Sequence, residues 1–393
     1  MFQTANPSNR SDNARLEFFA RTTPLATNTP SDPSSTAFLT SSPLTIPAPQ
    51  SSLVFGFDPV AFLRAASDLD ITDGAVMVKM MASGVCGTDL EKLTGKGITS
   101  SILGHEVAGV ISQSKNDEFN VGDYVIPHHH VSCNNCELCS AGAQTMCAGF
   151  KSSNFVPGGF STEFIVPNYN VAHGGLHAMS KNLSFDEASF AEPLGCCLRG
   201  LEHAGIFSKK PRNILVVGSG PIGLLHMELI RSALPDAKIY AVDVLVSRLD
   251  FAEKNEDAIP IDAKKSSQGA FSIDALKHTN GFGFDLVLVA TGSKSAFAES
   301  LKCLRKSGTL LLFGAPHKGA THDLDLAELF LSEYTITSSY STSERELAQA
   351  IKLLEDGKIN VRKFITSKFP LDRIEEAMAT ARKDDQVKTI VTS

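Results

Sequence analysis

The sequence predicts an α/β protein in which a β-rich part precedes a doubly wound parallel sheet covered by helices on both faces. Three observations support this prediction. Short β-like runs separated by Gly-, Pro- and Asn-rich turns fill most of residues 51–195. Continuous apolar strands alternate with helical patterns over residues 196–335. This second region opens with a strand, a glycine-rich turn and a helix, which is typical of doubly wound folds.

Length, composition and charge exclude several classes of protein. The chain has 393 residues, which is long enough for two domains with a hydrophobic core each. Hydrophobic residues make up 42% and charged residues 20%, as in ordinary globular proteins. The net charge of −7 does not favour nucleic-acid binding, which needs a basic face. No apolar run approaches the ~20 residues of a membrane span. We therefore expect neither nucleic acid nor membrane as a partner.

The first fifty residues differ in composition from all that follow. Fifteen of them are Ser or Thr and seven are Pro, and apolar periodicity is absent. Such a segment cannot bury enough apolar surface to offset its ordering entropy, so we expect residues 1–50 to be a largely disordered extension. Arg10, Arg15 and Arg21 leave organellar targeting open as an alternative to an arbitrary extension of a cytoplasmic protein.

The individual elements follow the same division. Ordered structure is expected to begin near Ser52, and the β-rich region suits a compact barrel-like domain. Its clearest strands are predicted at residues 76–80, 107–111 and 124–126. In the second region, strands are predicted at residues 213–217, 238–243, 284–290 and 308–313, with a helix at 224–230. The tail, residues 336–393, is predicted to hold helices at 344–354 and 371–382 and a strand at 387–391.

Four cysteines lie close together in the first region, at Cys133, Cys136, Cys139 and Cys147. Four thiols at this spacing can converge on one tetrahedral zinc ion. A ferredoxin-type iron–sulfur run has a last gap of about three residues and then proline, whereas here the gap is seven residues and alanine follows. Disulfides are a further alternative, but a thiol cluster without a secretory segment more often binds metal. We predict a structural zinc site.

A second and chemically different metal site is predicted upstream. A catalytic zinc ion keeps three protein ligands and leaves one position for water or substrate. Cys86 and His105 supply a thiolate and an imidazole, and either Glu106 or Glu192 supplies the third ligand. Taken singly, a buried cysteine is usually a small hydrophobe. Taken together beside a cysteine-rich lobe, these residues indicate a metal site.

The glycine turn has the spacing of a dinucleotide-binding fingerprint. Gly218, Gly220 and Gly223 form G-x-G-x-x-G between a strand and a helix. In this motif the first glycine permits the turn, the second admits the pyrophosphate and the third lets helix and strand pack closely. Asp243 lies twenty residues past Gly223 and is expected to bind the ribose hydroxyls, which favours NAD over NADP. Arg248 is expected to stack near the adenine or to soften that preference. A glycine turn without a ligand is the alternative.

Six motifs occur in an order that resembles the zinc-dependent medium-chain alcohol dehydrogenases, and within them the sorbitol/polyol and threonine dehydrogenase branch. The motifs are Gly84-Val-Cys86-Gly-Thr-Asp89, Leu103-Gly-His105-Glu106-Val-Ala-Gly109, the four-cysteine run, Gly158-Gly-Phe160, Glu192-Pro193 and the glycine fingerprint. The resemblance covers about residues 52–393. It implies a GroES-like catalytic domain, residues 51–195 with the returning tail 336–393, and a Rossmann NAD-binding domain, residues 196–335.

The resemblance also implies roles for single residues of the catalytic domain. It assigns Cys86, His105 and Glu106 to the catalytic zinc, with Glu192 at the metal directly or through water. It assigns a proton-relay hydroxyl to Thr88. It places cofactor contacts in the second domain at Ile222, Asp243 and Arg248. Two zinc ions per chain, NAD and a homodimer or homotetramer are the implied cofactors and assembly.

Two features depart from the simplest version of this assignment. Threonine dehydrogenases carry a histidine three positions after the relay hydroxyl, where this chain has Glu91, and this argues against a threonine substrate. The run His128-His129-His130 is a tempting metal site. We expect it on a strand, where neighbouring side chains face opposite ways and cannot share one ion.

The predicted function is therefore oxidation of a secondary alcohol, such as a polyol, sugar or cyclitol, to a ketone, with zinc and NAD. A zinc-free quinone or enoyl reductase of the same fold is the rival enzyme, and it would lack the cysteine run and the ligands at positions 86, 105 and 106. A non-catalytic binding protein is the third alternative, and the intact ligand positions count against it.

Overall fold

The computed structural model describes residues 70–93 and 102–393. The predicted extension 1–50 and the predicted start of order near residue 52 lie outside these residues. The strands are β1 (Val76–Gly84), β2 (Glu106–Ser114), β3 (Tyr124–Pro127), β4 (Glu163–Val166), β5 (Leu176–Ala178), β6 (Asn213–Val217), β7 (Lys238–Asp243), β8 (Ile259–Asp262), β9 (Phe284–Val289), β10 (Leu304–Leu312), β11 (Thr335–Ser338), β12 (Ile365–Pro370) and β13 (Lys388–Thr392).

Thirteen α-helices are described, most of them short. They are α1 (Gly87–Lys92), α2 (Glu137–Ser140), α3 (Asn168–Ala172), α4 (Phe185–Ala188), α5 (Ala191–His203), α6 (Ile206–Lys209), α7 (Pro221–Ala233), α8 (Val246–Glu256), α9 (Phe271–Lys277), α10 (Lys294–Leu301), α11 (Leu326–Leu331), α12 (Glu344–Glu355) and α13 (Ile374–Ala381). None of these helices combines the length and the apolar character needed to cross a lipid bilayer.

The first sheet has seven strands in the order β12-β13-β1-β2-β3-β5, with β4 paired to β1. Its pairs are antiparallel except β12 with β13, which are parallel. The strands predicted near residues 76, 107 and 124 are confirmed as β1, β2 and β3. Alternate side chains of β1 and β2 pack with buried aromatic residues such as Phe155 and Phe164 in one core cluster.

The second sheet has six strands, all parallel, in the order β11-β10-β9-β6-β7-β8. Ile214 and Val216 of β6 belong to the core on one face of this sheet, and Leu215 and Val217 belong to the core on the other. Because helices cover both faces, both sets of side chains are buried, and the strand reads as a continuous apolar run. The predicted doubly wound fold is confirmed.

The C-terminal tail connects the second sheet back to the first. Helix α12 begins after Ser343, whose side chain forms a reciprocal capping pair with Glu346. The helix lies against α5, where a Cβ atom on Gly195 would come within 2.6 Å of the Thr342 hydroxyl. Strands β12 and β13 then join the first sheet, with β13 beside β1. The helix predicted at 371–382 is a 3₁₀ turn followed by α13.

Candidate metal centres and cofactor cleft

The pairing of β1 with β2 brings together three residues that are distant in the sequence. Cys86 lies just after β1 as the N-cap of α1, and His105 lies just before β2. Gly84 at the end of β1 pairs with Glu106 at the start of β2. One ligand atom from each of Cys86, His105 and Glu106 lies within 4.8 Å of the other two. A thiol, an imidazole and a carboxylate at this spacing are a donor set that suits zinc.

The buried carboxylate of Asp89 fixes the orientation of this group. Asp89 on α1 accepts the backbone N–H of Cys86 at 3.2 Å and that of Gly104 at 3.1 Å. Its Oδ1 lies 3.4 Å from Nδ1 of His105. Burial opposes ionisation of Asp89, but His105 and the two N–H groups hold the pKa of the carboxyl below its ordinary value. A carboxylate behind a histidine is the usual way to fix the orientation of a metal-binding imidazole.

The same contacts set the protonation of His105. Burial alone would lower the pKa of its imidazole, but the Asp89 carboxylate and the Cys86 sulfur raise it well above the ordinary value. Asp89 is absent from the site residues predicted from the sequence, although it belongs to the Gly-Thr-Asp motif. A single aspartate on a short helix carries no pattern of its own, and its partner His105 is sixteen positions away.

The two candidates for the third ligand have different surroundings. Glu106 lies in one group with Cys86 and His105, and its carboxylate also contacts the ammonium group of Lys388. Glu192, at the start of α5, is not part of that group, and its Oε1 lies 3.4 Å from the Cys196 sulfur. Burial raises the pKa of Glu192 and the nearby Glu106 carboxylate adds to this, while His105 lowers it. The structure thus brings Glu106, rather than Glu192, together with the other two predicted ligands.

The four cysteines of the lobe, residues 133–147, converge at a spacing that fits zinc. The sulfur–sulfur distances are 3.4 Å for Cys133 and Cys147, 3.5 Å for Cys136 and Cys139, and 4.0 Å for Cys133 and Cys139. Four sulfurs at about 2.3 Å from a tetrahedral ion lie about 3.8 Å apart. A disulfide bond needs about 2.05 Å, and all four cysteines are unbridged.

The lobe favours one thiolate even without an ion. Burial raises the pKa of the Cys139 thiol to about 12, and its hydrogen bonds to the neighbouring thiols add to this. Burial opposes ionisation of Cys147 as well, but the backbone N–H and the thiol of Cys133 lower its pKa to about 6. Cys147 is therefore the cysteine of the lobe whose surroundings favour the thiolate, the form that binds metal.

The histidine run does not lie on a strand, and that expectation is wrong. Strand β3 ends at Pro127, and the three histidines occupy the bend that follows. The His129 ring centre lies 4.9 Å from that of His105 and 4.1 Å from that of His130. Burial lowers the pKa of all three, that of His130 to about 4. Within residues 70–93 and 102–393, the run is not among the groups of side chains that are close enough to hold one metal ion.

A cavity of about 650 Å³ is lined by residues of both sheets. Cys86 and Glu106 line it from the first sheet, and Lys388 from β13. The predicted cofactor residues that line it from the second sheet are Gly218, Gly220, Ile222, Asp243 and Arg248. Thr88 is half-buried on α1 and does not line this cavity. The cleft therefore connects the group formed by Cys86, His105 and Glu106 with the glycine turn.

The glycine turn has the geometry that its sequence predicts. Gly218 has a φ angle of +98°, which favours glycine. A Cβ atom on Gly223 would collide with the carbonyl oxygen of Gly218, so the third glycine is needed for close packing of α7. Asp243 accepts the N–H groups of Ser219 at 2.8 Å and Leu245 at 2.9 Å. These bonds fix the Asp243 carboxylate beside the turn, in the wall of the cavity.

Comparison with known proteins agrees with this geometry. Residues 72–175 match the family described as "Alcohol dehydrogenase GroES-like domain", and residues 221–356 match the one described as "Zinc-binding dehydrogenase". The chain is 30% identical over 313 residues to D-altritol 5-dehydrogenase of Agrobacterium fabrum, covering 78% of this chain and 88% of that protein. It is 29% identical over 343 residues to D-arabinitol dehydrogenase 1 of Uromyces fabae, covering 85% and 94%.

Solved structures show the same fold. The alcohol dehydrogenase TADH from Thermus sp. ATN1 has a TM-score of 0.72 and 23% identity, covering 83% of this chain and 94% of that chain. L-idonate 5-dehydrogenase from Escherichia coli has a TM-score of 0.71 and 23% identity, covering 83% and 93%. With both family matches and relatives that align over most of its length, the chain belongs to the zinc-dependent medium-chain alcohol dehydrogenase family.

Proposed function

We propose that this chain oxidises a secondary hydroxyl group of a polyol, sugar or cyclitol to a ketone, with NAD as the hydride acceptor. The observation that carries the proposal is the shared cavity, which joins Cys86 and Glu106 to the glycine turn. A substrate carbon beside the metal-type group and a nicotinamide bound from the turn would occupy one space. Relatives named for D-altritol and D-arabinitol support the polyol class.

Two zinc ions per chain are proposed. Cys86, His105 and Glu106 would hold the catalytic ion, and Glu192 would lie beside it. The lobe cysteines, Cys133, Cys136, Cys139 and Cys147, would hold the structural ion. The sulfur spacing of the lobe and the donor set of the first group support these assignments. The catalytic domain would comprise residues 51–195 and 336–393, and the NAD-binding domain residues 196–335.

The chain's own residues have separate tasks in this reaction. Zinc, when bound, supplies a Lewis acid that lowers the pKa of the substrate hydroxyl. Asp89 fixes the His105 ring, and Lys388 holds the Glu106 carboxylate in place by charge. The substrate proton would reach solvent by way of the Thr88 hydroxyl, which does not itself line the cavity but lies on α1 between the exposed Gly87 and Glu91.

The cofactor assignment favours NAD. Asp243 lies in the cavity wall with its carboxylate oriented by two backbone N–H groups, which leaves oxygen lone pairs for the ribose hydroxyls. A 2′-phosphate at this place would face a like charge. Arg248 lies 4.0 Å from the Asp243 carboxylate and would offer the adenine face a planar cation.

A homodimer or homotetramer is proposed as the assembly. Helix α11 exposes Leu326, Phe330 and Leu331, with 71%, 80% and 72% of each residue accessible. Strand β11 next to it is the edge of the second sheet and carries no charge or proline. Such an edge beside an apolar patch is typical of contact with a second copy. The eight free cysteines favour a reducing compartment such as the cytoplasm.

The test is a substrate screen on the zinc-loaded protein with NAD, read as NADH absorbance. The panel would hold pentitols, hexitols, inositols and simple secondary alcohols. We expect turnover of at least one polyol or cyclitol that is faster than turnover of the simple alcohols, and its loss in a Cys86→Ser variant. Equal turnover by protein stripped of metal, or turnover of simple alcohols alone, would contradict the proposal.

A further inference from the structure

The four-cysteine lobe is attached to the tail by a buried carboxylate. Glu344, the first residue of α12, is only 7% exposed. Its Oε1 accepts the backbone N–H of Ser132 at 2.7 Å, and its Oε2 accepts the Ser132 hydroxyl at 3.2 Å. Ser132 is fully buried and directly precedes Cys133. We propose that Glu344 is a positioning residue for the metal of the lobe, which it serves by fixing the backbone that carries Cys133.

A second buried contact holds the other side of the lobe. Arg199 on α5 donates to the carbonyl oxygen of Gly142 at 3.4 Å, three residues after Cys139. The same guanidinium pairs with Glu346 at 3.2 Å, and both side chains are buried. Helices α12 and α5 thus hydrogen-bond to the chain on both sides of the first three cysteines. Glu344 and Arg199 both lie outside the lobe. At least 147 positions separate Glu344 from Ser132, and Glu346 from Arg199.

The lobe needs such contacts because its own core is small. Its buried cluster consists of Cys139, Cys147 and Phe150, with Cys133 and Cys136 packed at the edge. Apart from the metal, little apolar burial holds the four sulfurs in place. A carboxylate–N–H bond is a charge-assisted hydrogen bond, roughly twice as strong as a neutral one. Removing it would leave Cys133 to be ordered by the ion itself, at the expense of affinity.

This inference rests on the proposed metal site of the lobe, so the experiment measures metal binding and not turnover. Full-length protein is loaded with Co²⁺, whose visible absorption at a four-thiolate site differs from that at a one-thiolate site. A competing chelator then gives the affinity of each site. Variants Glu344→Ala and Glu344→Gln are compared with Glu355→Ala. Glu355 is the matched control, because it also lies on α12 and accepts a backbone N–H, that of Ser180 at 2.7 Å, but away from the lobe.

We expect Glu344→Ala to weaken Co²⁺ binding at the lobe by about 10–100-fold, the usual effect of losing an outer-shell partner. Glu344→Gln keeps an acceptor for the Ser132 N–H and should lose less affinity. The one-thiolate site should be unchanged in both variants, whereas general unfolding would weaken both sites. Glu355→Ala should bind as the wild type does.

Three results would decide against this role. Wild-type affinity at the lobe of Glu344→Ala would overturn it, as would an equal loss in Glu355→Ala. If Glu344→Ala does not fold, Glu344→Gln decides, and an unchanged affinity in that variant overturns the role. A wild-type protein without the four-thiolate absorption would instead overturn the metal assignment itself. The two failures are therefore distinguishable.

Discussion

Lys388 and Glu106 form an ion pair that is almost completely removed from solvent, with 5% and 1% of their side chains exposed. Glu106 begins β2 and Lys388 begins β13, and both strands lie beside β1, which explains how residues 282 positions apart meet. Burial alone would lower the pKa of Lys388, but Glu106 and the Cys86 sulfur raise it above the ordinary value. The pair therefore places a buried ammonium group against the carboxylate that lies next to Cys86 and His105.

Replacing Lys388 with Met should destabilise the metal-free protein. The change leaves the Glu106 carboxylate buried without its partner, and breaking a buried pair in this way costs about 3–5 kcal/mol of unfolding free energy. Urea unfolding of protein stripped of metal measures the effect. Lys388→Arg keeps the charge and is the control, with a smaller loss. A Lys388→Met variant as stable as the wild type would show that the Glu106 carboxylate is protonated or solvated in the fold.

Elemental analysis should find two zinc ions per chain, because the two ligand-type groups share no residue. Cys136→Ser should lose one ion and keep the other. Cys303→Ser is the matched control, since Cys303 is equally a free cysteine but lies in the core of the second sheet. A single ion in the wild type, or loss of both ions from Cys136→Ser, would be incompatible with two independent sites.

The elements that the sequence predicts well are those whose side chains all lie in the same kind of environment. Strand β6 reads as an uninterrupted apolar run because both of its faces are buried. Strand β10 starts at Leu304, earlier than its predicted start at 308, because Leu304 pairs with Phe284 across an irregular register. The exposed Arg305 and Lys306 interrupt the apolar pattern and read as a turn.

The candidate site divides in the same way. The lobe cysteines are predictable because their spacing is typical of metal sites, and Cys86 and His105 become predictable when taken together beside that lobe. Asp89, Lys388 and Glu344 are not, since a single charged residue has no periodicity, and its role depends on a partner brought near by folding. The apolar pattern stops at residue 126, next to the end of β3 at Pro127, so the expectation of a strand at the histidine run goes beyond what that pattern supports.

Thr88→Ala should lower kcat by about 10²–10⁴-fold, the usual loss when a positioned proton-transfer group is removed. The affinity for NAD should not change, because Thr88 does not line the cavity next to the glycine turn. Steady-state kinetics and cofactor titration measure the two effects. Thr88→Ser keeps the hydroxyl and should retain most of the rate. Similar losses in both variants would mean that the side chain serves packing and not proton transfer.

A second buried charge cluster predicts how stability depends on pH. The ammonium group of Lys363 lies 2.7 Å from Glu256 on α8 and 2.7 Å from Glu228 on α7. Burial raises the pKa of Glu256 from 4.5 to about 8, although Lys363 partly offsets it. The folded state therefore holds a proton that the unfolded state has released. Protonated Glu256 therefore contributes stability that is fully present below the pKa of this group in the unfolded state and is lost as pH rises through about 8.

The unfolding free energy should accordingly fall between about pH 5 and pH 9, and Glu256→Gln should flatten this dependence. Urea unfolding across this range measures it. Glu253→Gln is the control, because Glu253 lies on the same helix but is exposed. A slope in Glu256→Gln equal to that of the wild type would assign the dependence to other groups.

The last prediction concerns the choice between NAD and NADP. The Asp243 carboxylate lies in the cavity wall, where a 2′-phosphate would meet its charge without a donor. The mismatch should cost about 2–3 kcal/mol, on the order of a hundredfold in kcat/KM in favour of NAD. Asp243→Ser should narrow or reverse this preference, because Arg248, 4.0 Å from the carboxylate, could then pair with the phosphate. Asp262→Ser is the control, since Asp262 pairs with Asp243 across β7 and β8 but does not line the cavity. Equal use of both cofactors by the unmodified enzyme would show that Asp243 does not contact the ribose.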